Sequence, residues 1–172
     1  MMSRPMALEA PPLDERAGTD ADDRPAAKRI RVIHGPNLNL LGRREPQVYG
    51  TMTLADLDAR LVRLGAELGI EVDCHQRNSE GAIIDLVHEA ADSHDAIVIN
   101  PGAYTHTSIA IADALRSVAL PAIEVHLSNV YARETFRHVS LTAPACVGVV
   151  MGLGAASYDL AIRHLAAAPA AS

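Results

Sequence analysis

From Arg29 onward, short runs rich in β-branched residues alternate with longer amphipathic stretches, and this alternation constrains the fold more than any other property of the chain. The short runs fall at Arg29 to His34, Ile70 to Gln76, Ala96 to Asn100, Ala122 to His126 and Cys146 to Met151. The central ones are almost continuously apolar, as strands buried on both faces of a parallel sheet must be. The stretches between them carry helix signals. The first begins at Thr53, a capping hydroxyl with Asp56 three residues on, and puts Leu54, Leu57, Leu61, Leu64 and Leu68 on one stripe before Gly69 stops it. A second follows Asn78-Ser79 to about Ser93, a third follows His106-Thr107-Ser108 to about Ser117, and a last one runs from about Gly154 to Ala167. A shorter helical piece is expected from Ala132 to about His138.

Five strands with helical crossovers predict an α/β fold. The expected form is a doubly wound parallel sheet of flavodoxin-like order 2-1-3-4-5 with helices on both faces, an order that the pattern by itself does not fix. Ligands of such sheets bind beyond the carboxyl ends of the strands, near the switch point between the first and third. Residues 1–27 mix Pro, Asp, Arg and small residues without period and read as a flexible arm. Residues 28–168 read as a single catalytic α/β domain, and 169–172 as a frayed end.

Composition narrows the partners. A formal net charge of −6 disfavours a surface that neutralises nucleic-acid phosphates or anionic lipid. No Trp, one Phe and four Tyr leave little material for base stacking. No apolar run reaches the ~20 residues of a membrane span, and no signal-peptide layout opens the chain, so a cytoplasmic protein is expected. Cys74 and Cys146 lie far apart in apolar runs, as reduced core thiols do. The histidines show neither HExxH nor zinc spacing, with His88 and His94 on or just beyond an exposed helix, so no metal is expected.

The polar residues gather at three strand ends. The stretch from His34 to Gly50 is long for a connection in a compact domain and holds Asn37, the paired Arg43 and Arg44, and Tyr49. After the third strand come Asn100, Tyr104, His106, Thr107 and Ser108, with Asp113 one and a half turns into the next helix. The fourth strand ends Glu124-Val-His126, followed by Leu127, Ser128, Asn129, Arg133 and Arg137. Alternate strand residues share a face, so Glu124 can orient the His126 ring and favour its imidazolium as a proton donor. Met151-Gly-Leu-Gly154 is not a dinucleotide fingerprint, and its glycines read as close-packing positions.

Five blocks together resemble the type II 3-dehydroquinate dehydratases (type II dehydroquinases). They are GPNLNLLGRREPQVYG (35–50), NSEG (78–81), NPGAYTHTS (100–108), EVHLSN (124–129) and RETFR (133–137), and the likeness runs from about Ile30 to Leu165. The resemblance implies dehydration of 3-dehydroquinate to 3-dehydroshikimate, a shikimate-pathway step of aromatic amino-acid biosynthesis, by anti elimination through an enolate. It implies no Schiff base, no cofactor and a dodecamer assembled from trimers. By the same resemblance Tyr49 is the base, Arg44 the cation beside it, His126 the general acid and Asn37 the enolate's support. Asn100, His106, Asp113, Leu127, Ser128 and Arg137 fall on substrate positions. Three departures stand out: the long arm, Arg77 where a small polar residue is common, and Val139 in place of a frequent histidine. The competing reading, a flavodoxin-like module for FMN, would need loop aromatics beyond Tyr49 and Tyr104.

Overall fold

The computed structural model of the chain describes residues 27–43 and 51–169. Residues 1–26 of the arm expected over 1–27, the stretch holding Arg44 and Tyr49, and residues 170–172 lie outside them. Five strands, β1 (Arg29–His34), β2 (Glu71–Gln76), β3 (Ala96–Asn100), β4 (Ala122–His126) and β5 (Gly148–Met151), form one parallel sheet of order β2-β1-β3-β4-β5. Helices α1 (Leu54–Glu67) and α4 (Ala156–Ala167) cover one face, and α2 (Glu80–Ala91) and α3 (Ile109–Ser117) the other. This is the doubly wound, flavodoxin-like arrangement that the alternation predicts.

The strand period of two divides the core. Ile30, Val32, Val98 and Val125 meet Leu57, Leu61 and Ile162, while Ile33, Ile97 and Ile99 meet Ile83, Leu86 and Leu115. Thr53 caps α1 as a full capping box with Asp56, and Gly69, at φ +70°, takes the left-handed turn that ends it. Ser79 caps α2 and Ser108 caps α3.

Boundaries shift where local hydrogen bonds compete. The Ile70 N–H returns to Gly65 O at the end of α1, so β2 starts one residue late. Cys146 N–H closes the short turn of Ala143–Ala145, which delays β5 to Gly148. Gly154 has φ +59° and cannot belong to a right-handed helix, so α4 starts at Ala156 rather than Gly154. The helical piece expected from Ala132 to His138 is two 3-10 turns, Val130–Ala132 and Thr135–His138, broken by an extended Arg133. So short a segment cannot offset the cost of nucleating an α-helix.

His88 is exposed as expected, but His94 is buried, with Nε2 3.1 Å from Asp73 Oδ1. Cys74 and Cys146 are free and half-buried, and burial pushes the Cys146 thiol up to about 12. Among the described residues no helix is long and apolar enough to cross a membrane.

Candidate active site

β1 and β3 lie side by side with His34 opposite Asn100, and their loops part at this point. Gly35 N–H donates to Asn100 O at 2.7 Å, and a Cβ on Gly35 would sit 2.6 Å from the Pro101 carbonyl. Only glycine lets the two chains separate so closely. Asn37 then turns left-handed at φ 68°, a region asparagine tolerates, and its N–H donates to Asn78 Oδ1 at 3.0 Å.

Between these loops and the end of β4 lies a cleft of about 170 Å³. Arg133, Arg137, His106 and His126 line it with Asn37 and Asn100, over an apolar wall that includes Leu40 and Leu41. No Asp or Glu and no Tyr or Phe lines it among the described residues. The field therefore suits a small anion, and among the described residues no tyrosine or phenylalanine is offered to an isoalloxazine. Tyr104 directs its hydroxyl to Asn78 O instead, at 3.2 Å.

β4 supplies the proton chemistry. Glu124 Oε1 is 2.8 Å from His126 Nε2, as the shared strand face predicts. Three hydroxyls also converge on the carboxylate: Thr105 at 2.7 Å, Ser140 at 3.2 Å, and Thr142. The segment bearing the last two is tied down by Leu141 N–H, which donates to Thr105 O at 2.7 Å. Burial opposes the charge of Glu124, but the hydrogen bonds from His126, Thr142 and Thr105 outweigh it and hold the carboxyl below its usual range. Glu124 touches the ring rather than the cleft, and so acts through His126.

The remaining groups are fixed individually. His106 Nδ1 donates to Val139 O at 2.8 Å, leaving Nε2 for the cleft. Because the contact is to the backbone carbonyl, it does not use the side chain at position 139. The Asn100 amide donates to Tyr158 and accepts from Gly102 N–H. Arg137 Nε donates to Glu134 at 2.7 Å and its guanidinium lies 4.9 Å from the centre of the Phe136 ring. Leu127 buries its side chain in the core, so its backbone is what the cleft meets, and Ser128 follows it on the rim. Gly152 and Gly154 donate their N–H groups to His126 O and Leu127 O, which anchors the end of β4 and leaves no phosphate cradle. Exposed Arg77 donates to Gln76 O and reaches no part of the cleft lining.

Of the residues singled out in the sequence, Asn37, Asn100, His106, His126, Leu127, Ser128 and Arg137 meet at one cleft, with Glu124 behind His126. Asp113 does not. It stands on the outer face of α3, 67% exposed in its side chain and paired with Arg116 at 3.0 Å. Arg44 and Tyr49 are outside the described residues. Thr105, Ser140 and Thr142 escaped the sequence reading, although Ser140 and Thr142 carry the i, i+2 spacing of one strand-like face. Arg133, named in the sequence among the polar residues after the fourth strand but given no substrate role, joins the lining.

A family model described as "Dehydroquinase class II" matches residues 28–166. Curated relatives named 3-dehydroquinate dehydratase include one from Geotalea daltonii, 56% identical over 80% of this chain and 95% of its own length. Another, from Pelotomaculum thermopropionicum, is 53% identical over 81% of this chain and 96% of its own. The crystal structure of type II dehydroquinase from Propionibacterium acnes superposes with a TM-score of 0.80 at 50% identity, over 83% of this chain and 98% of that one. With its sheet order, its cleft and these likenesses in agreement, the chain belongs to the class II dehydroquinase family and is an enzyme of that family.

Proposed function

We propose that residues 28–168 form the catalytic unit of a 3-dehydroquinate dehydratase that works by anti elimination through an enolate, in the shikimate pathway. The observation that carries this reading is the Glu124–His126 pair at a cleft lined by two arginines and, among the described residues, no carboxylate. Arg133 and Arg137 neutralise the substrate carboxylate, with the backbone at Leu127 and Ser128 beside them. Tyr49, as tyrosinate next to Arg44, removes the proton α to the carbonyl, and Asn37 supports the enolate. His126 is the acid. With Nε2–H held by the Glu124 carboxylate, the imidazolium presents Nδ1–H to the departing hydroxyl. Asn100 and His106 hold the substrate's hydroxyls.

The alternative chemistry, through an imine, needs a lysine in the cleft. Lys28 is the chain's only lysine. Its Nζ donates to Leu165 O at 2.6 Å and Ala168 O at 2.9 Å, at the amino end of β1 and the far end of the sheet from the cleft. Adding 3-dehydroquinate to the pure protein is expected to raise the ultraviolet absorbance of a conjugated enone-carboxylate. Borohydride added with substrate is expected to leave the enzyme active. No absorbance change, or inactivation by borohydride, would discard the mechanism.

A substrate role for Asp113 requires a second copy of the chain, because α3 holds it away from its own cleft. Ile109, one turn earlier, is 66% exposed, and Phe136, Val147 and Val149 are exposed apolar side chains as well. Burying them between copies supports the dodecamer of trimers. Sedimentation should give the dodecamer mass, and a monomer would remove both the assembly and the role of Asp113. The free cysteines support a reducing, cytoplasmic setting.

A further inference from the structure

The apolar layer beneath α1 and α4 is crossed by one polar chain. Asp58 Oδ1 lies 2.9 Å from His34 Nε2, and His34 Nδ1 lies 3.0 Å from the Tyr158 hydroxyl. Asn100 Nδ2 donates to the same hydroxyl at 3.0 Å, while Asn100 Oδ1 accepts from Gly102 N–H at 3.1 Å. His34 and Tyr158 are fully buried and Asn100 is 3% exposed, whereas the Asp58 side chain, 34% exposed, forms the solvent end. Only Asn100 among the four lines the cleft.

Every proton in this chain has one consistent place. Tyr158 accepts from Asn100, so its own O–H points to His34 Nδ1, and the remaining proton of a neutral His34 sits on Nε2, facing the Asp58 carboxylate. Burial pushes the Tyr158 phenol up, so it keeps its proton. Rotating the Asn100 amide by half a turn would set Nδ2 against the Gly102 N–H, donor against donor. Tyr158 would then have to donate to Asn100, and His34 would have to turn an unprotonated Nε2 on Asp58. Both ends of the chain forbid the flip.

Cys74 lies beside His34 and Asp58, and the three ligand-type atoms fall within 4.8 Å of one another. The hydrogen bonds account for this cluster without a cation. Both nitrogens of His34 are engaged, and burial and the Asp58 charge keep the Cys74 thiol protonated.

We propose that Asp58, His34 and Tyr158 are positioning residues for the dehydration, a relay whose polarity fixes the Asn100 amide so that its second Nδ2 hydrogen is the donor offered to a substrate oxygen. The proposal rests on the reading above that Asn100 contacts the substrate. It assigns a function to three polar groups outside the cleft lining, of which Tyr158 reaches it by its hydrogen bond with Asn100.

The test is a mutant cycle read by steady-state kinetics on folded protein. Tyr158→Phe is expected to raise KM about 5- to 10-fold while kcat changes less than about 2-fold, the mark of a lost ground-state hydrogen bond. Asp58→Asn, at the solvent end, should raise KM in the same direction by a smaller factor, and it keeps the test open if Tyr158→Phe does not fold. In an Asn100→Ala background neither substitution should change KM further. Unchanged KM in both variants, or the same fold-change with Asn100 already removed, would overturn the relay and leave Tyr158 a packing residue. Asn100→Ala alone separates the two levels: if it leaves KM unchanged, the reading of Asn100 falls and takes the relay with it.

Discussion

Replacing His126 by asparagine will lower kcat about 10²- to 10⁴-fold, the usual contribution of a placed general acid, and will change KM far less. Asparagine keeps an uncharged polar group near the position of Nδ1 but has no acidic proton to release, so the substitution separates holding the substrate from protonating the hydroxyl. Stopped-flow or steady-state turnover of 3-dehydroquinate reads the difference, and a kcat within a factor of a few of the parent would remove His126 as the acid. Glu124→Gln is the companion measurement. Glu124 stays ionised below its usual range, so between neutrality and mild acid its charge is constant and contributes no inflection to the rate. Its contribution to stability has the opposite visibility. A carboxyl whose folded pKa is depressed stabilises the fold above its unfolded value, 4.5, and loses that contribution as the pH falls through the lower folded value. Thermal melts in acid should therefore show a steeper loss for the parent than for Glu124→Gln.

Tyr49→Phe will abolish turnover without unfolding the chain, and Arg44→Ala will lower kcat much more than it raises KM. A free phenol titrates near ~10, so a working tyrosinate needs its pKa lowered by about two to three units, or about 3–4 kcal/mol. One guanidinium about 4 Å away, at an effective dielectric near ~20, supplies roughly 4 kcal/mol. A single arginine is thus large enough for the task, and its loss should appear in the chemical step. Near-parental kcat in Tyr49→Phe, or an Arg44→Ala variant impaired only in KM, would take these two residues out of the mechanism.

Much of the architecture was legible because its causes are local. The Thr53 and Asp56 capping box, the leucine stripe of α1 and the glycine that ends it all act within one or two turns, so the residues carry the whole argument. Glu124 and His126 were legible because a strand has a period of two. What lay hidden depends on distance along the chain. Thr105, Ser140 and Thr142 reach Glu124 from 19, 16 and 18 positions away, and threonine or serine in a loop has no pattern that announces a buried carboxylate. The same holds for Tyr158, 124 residues from His34, whose sequence position is simply that of a core residue on a helix. The helical piece expected from Ala132 to about His138 is instead two 3-10 turns, because the backbone at Arg133 is extended and splits the segment, which no local pattern signals. Asp113 was placed in the site by resemblance, and within one chain its helix turns it outward.

The position of Lys28 bears on how such a protein can be handled. All the cationic nitrogen at the cleft is guanidinium or imidazole, and the one side-chain amine is engaged by carbonyls at the end of α4, on the opposite rim of the sheet. Amine-directed coupling to a solid support through Lys28 would thus join the protein at the rim opposite the cleft and leave the cleft unblocked. An immobilised preparation made in this way should present its cleft to solution in a single orientation wherever Lys28 is the point of attachment.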